Sequence, residues 1–318
     1  MTCQPTDLTR ADVTRAHGKI QGRVKKTPVL SSQLLDDHYG VQLFFKAEHL
    51  QSSGAFKFRG ASHCLSLLSD EEKKRGVVTH SSGNHAQALA LAAARAGVTA
   101  TIVMPEGSNP LKKSATEAYG ARVVSCENNQ DAREATAARE VEKTGGTLIH
   151  PYDDWRIITG AGTAALEFLE EVPDLDAIVT PLGGGGLLAG TCLAASEQCK
   201  VFGAEPEGAD DGHRGFYSGT RVVSQTPDTI CDGLRTCVGE LNFSVLQQHL
   251  TGIGVASDEE CVSAQWQIMT RMKQVIEPSS AVALACIANE SIPVSGKVGI
   301  IISGGNLDMG PWFCPSTT

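Results

Sequence analysis

Ala177-Ile178-Val179-Thr180-Pro181-Leu182-Gly183-Gly184-Gly185-Gly186-Leu187-Leu188-Ala189-Gly190 runs from a buried apolar strand, through four successive glycines, into an apolar helix. A structural turn rarely needs four residues without a Cβ. Four let consecutive backbone N–H groups converge on an anion, and the dipole of the following helix adds positive potential. The loop therefore reads as a phosphate cradle at the carboxyl end of a strand, where open α/β sheets bind their ligands. Gly184, Gly186 and Ala189 also satisfy the spacing of a dinucleotide fingerprint. Glu205 ends the next strand about 20 residues on, where an acid could bind a ribose. The loop says phosphate and leaves the cofactor open, an NAD-dependent oxidoreductase included.

Outward from this loop the same pattern repeats. Leu43–Lys46, Gly76–Thr79, Ala100–Met104, Ala121–Ser125, Lys200–Ala204 and Val298–Ile302 read as buried strands. Between most of them lie alanine-rich segments of helical period, such as Ala86–Ala96 and Asp131–Lys143. This alternation predicts an α/β fold with mostly parallel, twisted sheets flanked by helices. Residues 76–150 contain three strand-helix units, enough for a small lobe inserted in a larger one made of 1–75 and 151–318. A chain of 318 residues, 41% hydrophobic, can bury the cores of two such lobes.

Composition narrows the function classes. The net charge of −9 is interspersed, so no basic face offers itself to nucleic acid or to an anionic membrane, and small-molecule chemistry is expected. The ten cysteines include no Cys-x-x-Cys pair, and several, such as Cys286, lie in apolar runs. A reducing, cytoplasmic setting is the expectation. No run approaches the ~18 apolar residues of a membrane span, and the first residues carry no apolar leader core.

Three further stretches carry chemistry. In Ser52-Ser53-Gly54-Ala55-Phe56-Lys57-Phe58-Arg59-Gly60-Ala61 a lysine sits between two phenylalanines, where partial desolvation would make its amine a nucleophile suited to a Schiff base. Taken alone, the stretch fits more simply an amphipathic helix with Phe56 facing the core and Lys57 snorkelling to water. After the strand ending at Thr79 comes His80-Ser81-Ser82-Gly83-Asn84-His85-Ala86-Gln87. Ser82 can cap the following helix, whose first N–H groups favour a carboxylate. No Gly-x-Ser-x-Gly elbow is present, which disfavours a serine hydrolase. The last strand runs into Ser303-Gly304-Gly305-Asn306, where a hydroxyl can hydrogen-bond a ring nitrogen without imposing charge.

Together, Ser53–Ala61, Ser81–Gln87, Gly183–Leu187 and Ser303–Asn306 resemble, in order and spacing, the four signatures of the fold type II pyridoxal-phosphate enzymes. The similarity covers nearly the whole chain and is greatest to serine racemases and the short threonine/serine dehydratases. It implies that Lys57 holds pyridoxal 5′-phosphate and shuttles the α-proton, and that Asn84 bonds the ring hydroxyl. Gly183, Gly184, Gly185, Gly186 and Leu187 would cradle the phosphate, and Ser303 would face the pyridine nitrogen. Ser81, Ser82, Gly83, Asn84 and His85 would bind the substrate carboxylate.

Racemisation takes the α-proton from one face and returns one on the other, so a single lysine does not suffice. In serine racemases the second serine of the Ser81–Gln87 loop faces the lysine across the cofactor, and Ser82 occupies that position. The resemblance thus implies a serine racemase with accompanying dehydratase activity. L-threonine/L-serine dehydratase, 3-hydroxyaspartate dehydratase and aspartate racemase are alternatives. Glu205, the carbonyl of Ala209 and Asp211 align with a loop that holds Mg²⁺ or Ca²⁺ in serine racemases, all oxygen donors suited to a hard cation. Tyr152 stands where vertebrate serine racemases have an asparagine, and Asp153, Asp154 and Arg156 could tune the side-chain pocket. Ser52 replaces a lysine, which leaves ATP activation without support. A homodimer acting on a small amino acid is implied, with no nucleic-acid or membrane partner.

Overall fold

In the computed structural model, which describes residues 7–195 and 199–309, two separate sheets are flanked by helices. Strand β1 spans Val29–Ser31, β2 Gln42–Ala47, β3 Val77–His80, β4 Ala100–Pro105 and β5 Arg122–Cys126. Strand β6 spans Thr147–Leu148, β7 Ala177–Pro181, β8 Lys200–Pro206, β9 Gly252–Ala256 and β10 Lys297–Ile302. The larger sheet has the order β1-β2-β10-β7-β8-β9, the smaller β5-β4-β3-β6. All pairings are parallel except β1 with β2.

The continuous apolar runs follow from burial on both faces. Along β10, Val298, Ile300 and Ile302 enter one core with Val179, Phe45 and Val282. Ile301 enters the core on the other face, with Ile178, Leu188 and Val201. Alternation by two therefore still operates, but each set of side chains meets a helix layer, so neither can be polar. In the smaller sheet Val77 and Ile102 face one core, and Val78 and Val103 the other. The first of these cores also takes in Phe58, Ala61, Cys64 and Leu65 from the helix Lys57–Ser66. The helix that carries Lys57 thus packs against the layer belonging to the smaller sheet.

All seven expected strands are present, and the carboxyl ends of β2, β3, β7 and β10 lead into the four motif loops. Strands β1, β6 and β9 were not expected. The first two have three and two residues, and β9 is the glycine-interrupted Gly252-Ile253-Gly254-Val255-Ala256. The eight cysteines among the described residues are free, and all but Cys237 are buried. Cys3 and Cys314 lie outside the described residues.

Candidate active site

The chain reaches Lys57 through an unusual turn. Ser53 has φ 62° and ψ 10°, Gly54 has φ 74°, and a Cβ at Gly54 would lie 2.3 Å from Asn306 Oδ1. Two consecutive left-handed residues cost backbone energy that the surroundings must hold in place. Asn306 does so, donating from Nδ2 to Ser53 O at 2.8 Å. Phe56 N donates to Ser303 O at 2.9 Å, and Ala55 bridges Gly304. The lysine stretch and the Ser303 loop are therefore one unit, and the helix begins at Lys57 itself.

Lys57 does not snorkel to water. Its Nζ donates to Pro151 O at 3.0 Å and lies 5.2 Å from the Phe56 ring centroid. The side chain keeps a residual opening to solvent, yet protein surrounds the ammonium, and burial lowers its pKa to about 8. Pro151 leads into Tyr152, which lies against the glycine loop. A Cβ at Gly184 would meet the Tyr152 ring at 2.3 Å, and one at Gly186 would meet Tyr152 O at 3.1 Å. The lysine amine and the glycine cradle thus share one wall.

The glycines are needed at this wall. Gly185 has φ 96°, and a Cβ there would lie 2.8 Å from Asn242 Cβ; one at Gly183 would lie 2.9 Å from Leu234 Cα. Asn242 Nδ2 donates to Gly184 O at 2.7 Å and to Tyr152 O at 3.1 Å, fastening the loop to that segment. Gly185 O accepts from Ala189 N at 2.8 Å, so the amides of Gly186, Leu187 and Leu188 precede the first intrahelical donor and face off the helix end.

The loop after β3 differs from expectation in one respect. Ser82 does not cap the helix Asn84–Ala96; Gly83 occupies the N-cap and no side chain caps it. The physical consequence is favourable for an anion, because no built-in acceptor competes for the first amides. Ser82 is half-buried, and its hydroxyl joins no hydrogen bond among the described residues. Asn84 is fixed at both ends of its amide. Nδ2 donates to Glu277 Oε1 and Oε2 at 2.9 and 3.0 Å, and Oδ1 accepts from Asn306 Nδ2 at 2.9 Å. Burial raises the pKa of Glu277, which is 2% exposed. Sequence reasoning missed Glu277. The available signal was a glutamate before Pro278 at the start of a helix without a charged residue, a place where serine or aspartate is the usual cap.

Ser303 Oγ lies 2.9 Å from Ser280 Oγ. Ser280 is already satisfied by Gly304, donating to its carbonyl and accepting from its amide, both at 2.8 Å. In that arrangement Ser303 is the donor of the pair, and its proton can turn to another acceptor without orphaning Ser280.

His80, His85 and His150 lie near one another, and His85 and His150 also lie near Lys57. His80 and His150 rings are 5.5 Å apart, and His150 and Tyr152 rings 4.6 Å. Burial, then His80, lowers His150 to about 4. Burial, then Lys57, holds His85 well below the usual imidazole range. Both ring nitrogens of His85 are buried without a partner, as are Ser53 Oγ, Thr180 Oγ1 and Asn242 Oδ1.

Asp153 and Asp154, expected to tune the side-chain pocket, serve the backbone. Asp153 accepts from Glu240 N and Leu241 N at 3.0 Å, capping the helix Glu240–His249. Asp154 caps the helix Trp155–Glu171 and pairs with Arg156 at 2.6 Å. Glu205 is fully buried and accepts from Gly212 N at 3.1 Å and His213 N at 2.7 Å, so it is not available to a ribose. Asp211 is 2% exposed and accepts from Val238 N at 2.8 Å and Gln225 Nε2 at 2.6 Å. Burial raises Asp211 to about 6, and burial followed by Asp211 raises Glu205 well above the carboxylate range. Among the described residues no three His, Cys, Asp or Glu side chains gather as a metal site. Two clefts of about 200 and 310 Å³ contain none of these residues.

Comparison with known proteins gives the following. The family described as "Pyridoxal-phosphate dependent enzyme" matches residues 20–304. An L-threo-3-hydroxyaspartate ammonia-lyase of Saccharomyces cerevisiae is 46% identical over 95% of this chain and 94% of its own. A serine racemase of Dictyostelium discoideum is 44% identical over 95% of this chain and 96% of its own. The structure of maize serine racemase matches with a TM-score of 0.93 at 39% identity, covering 95% of each chain.

Proposed function

This chain belongs to the pyridoxal-phosphate-dependent enzyme family, and on that premise we propose that it interconverts L- and D-serine, with α,β-elimination to pyruvate and ammonia as a second outcome. The observation that carries the reading is the Lys57 amine. It is desolvated, no acidic group contributes to its titration, and it is bonded to the residue before the tyrosine that lines the glycine loop. The fit of the cofactor rests on two further features. Gly184 and Gly185 leave no room for a Cβ, and five buried polar atoms in these segments have no protein partner. Such atoms cost about 1–3 kcal/mol each until a polar ligand meets them.

When bound, the cofactor supplies an electron sink for the charge left as the α-proton departs. The protein does the rest. Gly183 to Leu187 would hold the phosphate, and Lys57 would hold the cofactor covalently. Asn84, fixed by Glu277 and Asn306, would present an N–H to the ring hydroxyl. Ser303 would turn its proton to the ring nitrogen, which leaves that nitrogen without a formal charge. The uncapped amides of the helix Asn84–Ala96, with Ser81 to His85 around them, would bind the substrate carboxylate. Lys57 would move the α-proton on one face and Ser82 on the other. Retention of the β-hydroxyl gives the enantiomer; its loss as water leaves an enamine that, once released, takes up a water in hydrolysis to the keto acid and ammonia.

Glu205, the Ala209 carbonyl and Asp211 would hold Mg²⁺ or Ca²⁺. Two buried carboxylates whose charge is disfavoured suit a divalent cation. The four-stranded sheet supports a small lobe of about residues 76–150, with 1–75 and 151–318 as the large lobe. No helix among the described residues is long and apolar enough to cross a membrane. A cytoplasmic homodimer rests on resemblance alone, and light scattering tests the assembly.

A second reading is 3-hydroxyaspartate dehydratase, favoured by the yeast relative. The deciding experiment is incubation with L-serine, L-threonine, L-aspartate and L-threo-3-hydroxyaspartate, assaying each for enantiomer and keto acid. The proposal expects D-serine and pyruvate from L-serine as the fastest conversion. Turnover confined to the hydroxyaspartate would replace it with the second reading.

A further inference from the structure

Two residues beyond Lys57, a guanidinium is enclosed by protein. Arg59 is 0% exposed, the largest fully buried side chain among the described residues. Its Nε and Nη2 donate to the two oxygens of Glu48, each at 2.8 Å. Its Nη1 and Nη2 donate to the two oxygens of Glu167 at 2.8 and 2.7 Å. A second enclosed cation, Lys46, sits 3.1 Å from Glu167 and donates to Thr27 O at 2.7 Å. Burial opposes the charge of Arg59, and Glu48 followed by Glu167 overcomes it.

Stability alone does not account for this arrangement, because a buried ion cluster gains little over apolar side chains of similar volume. A doubly bidentate guanidinium does fix direction. The anchors belong to different elements: Glu48 follows β2, and Glu167 lies on the helix Trp155–Glu171. That helix starts just after Pro151 and Tyr152. It also meets the lysine helix backbone to backbone, since a Cβ at Gly160 would lie 2.7 Å from Gly60 Cα and 3.1 Å from Arg59 O. At ~100° per residue, Arg59 leaves the helix about 200° around the axis from Lys57. The clamp therefore grips the back of the first turn while the amine extends from the front to Pro151.

We propose that Arg59, held by Glu48 and Glu167, is a positioning residue that fixes the placement of the Lys57 amine against the glycine-loop wall. The proposal rests on the reading that Lys57 carries the cofactor. Lysine at 59 keeps the charge but cannot bind two carboxylates in fork geometry.

The test compares holoenzyme of wild type, Arg59→Lys and Glu48→Gln with Ile268→Ala, a cavity in the other core that lowers melting temperature by itself. Borohydride reduction and peptide mass spectrometry first establish the Lys57 adduct. Its absence in wild type would remove the reading of Lys57 and, with it, this proposal. With the adduct present, Arg59→Lys is expected to retain it, to lose the visible circular dichroism of the bound chromophore, and to lower kcat about tenfold with little change in KM, as a displacement below 1 Å would do. Ile268→Ala is expected to melt lower with dichroism and kcat unchanged. If Arg59→Lys does not fold, the near-isosteric Glu48→Gln carries the same expectations. Lowered melting with wild-type dichroism and kcat in the folded variant overturns the proposal and leaves the clamp a structural feature only.

Discussion

Whether a lysine can act near neutral pH depends on how its ammonium is solvated. With Lys57 at about 8 rather than 10.5, about half of its amine is neutral at pH 8, against less than about 1% for an ordinary lysine. The sign is fixed by burial, which penalises the charged form. Cofactor-free protein is therefore expected to take up pyridoxal phosphate at a rate that rises with pH and levels above about pH 8, read by stopped-flow absorbance. A rate still climbing at pH 10 would contradict it. This behaviour was only half legible in the sequence. The two phenylalanines allowed a desolvated lysine, yet they equally allowed a snorkelling one. What decides is Pro151, 94 residues away along the chain. The partners of Asn84 show the same limit: Glu277 reaches it across 193 residues.

Among the elements, the helix Trp155–Glu171 joins the lysine helix to the helix that follows the glycine loop. On one side Gly160 lets it touch the lysine helix. On another, a Cβ at Gly162 would lie 2.5 Å from Gly190 O on the helix Gly186–Ala195. Backbone cannot yield as a flexible side chain does, so Gly162→Ala is expected to cost about 1–3 kcal/mol. Calorimetry should show a melting temperature lower by several degrees, together with weaker cofactor binding; an unchanged melt would show that the helices can separate freely. The long strands and helices were readable because burial on both faces writes continuous apolar runs. The glycines of this contact were visible as residues, but their reason was not, since each concerns the helix it meets. Ser82 illustrates the converse error: a plausible cap in sequence, it yields the N-cap to Gly83 because the helix begins one turn position later.

At the scale of the molecule, the acid pair Glu205 and Asp211 lies behind the glycine loop. Asp211 holds Val238 N, and Val238 packs on Gly185. For both acids the folded state holds the proton more tightly than the unfolded state does. Asp211, moved from 3.8 to about 6, therefore loses stability as pH rises through that window, by roughly 3 kcal/mol once fully ionised. A bound cation offsets this only where the carboxylates are ionised. Mg²⁺ or Ca²⁺ added to chelator-treated protein is thus expected to raise the melting temperature more at pH 7.5 than at pH 5, and equal or absent shifts would remove the metal. The central claim concerns the two faces of the site, Lys57 on one and Ser82 on the other. Its most direct test is the conversion of L-serine by wild type and by Ser82→Ala, with D-serine and pyruvate measured in the same reaction. The account predicts both products from wild type, and from Ser82→Ala no D-serine with pyruvate formation retained in part. Equal loss of both products, or D-serine formed at the wild-type rate, would contradict it.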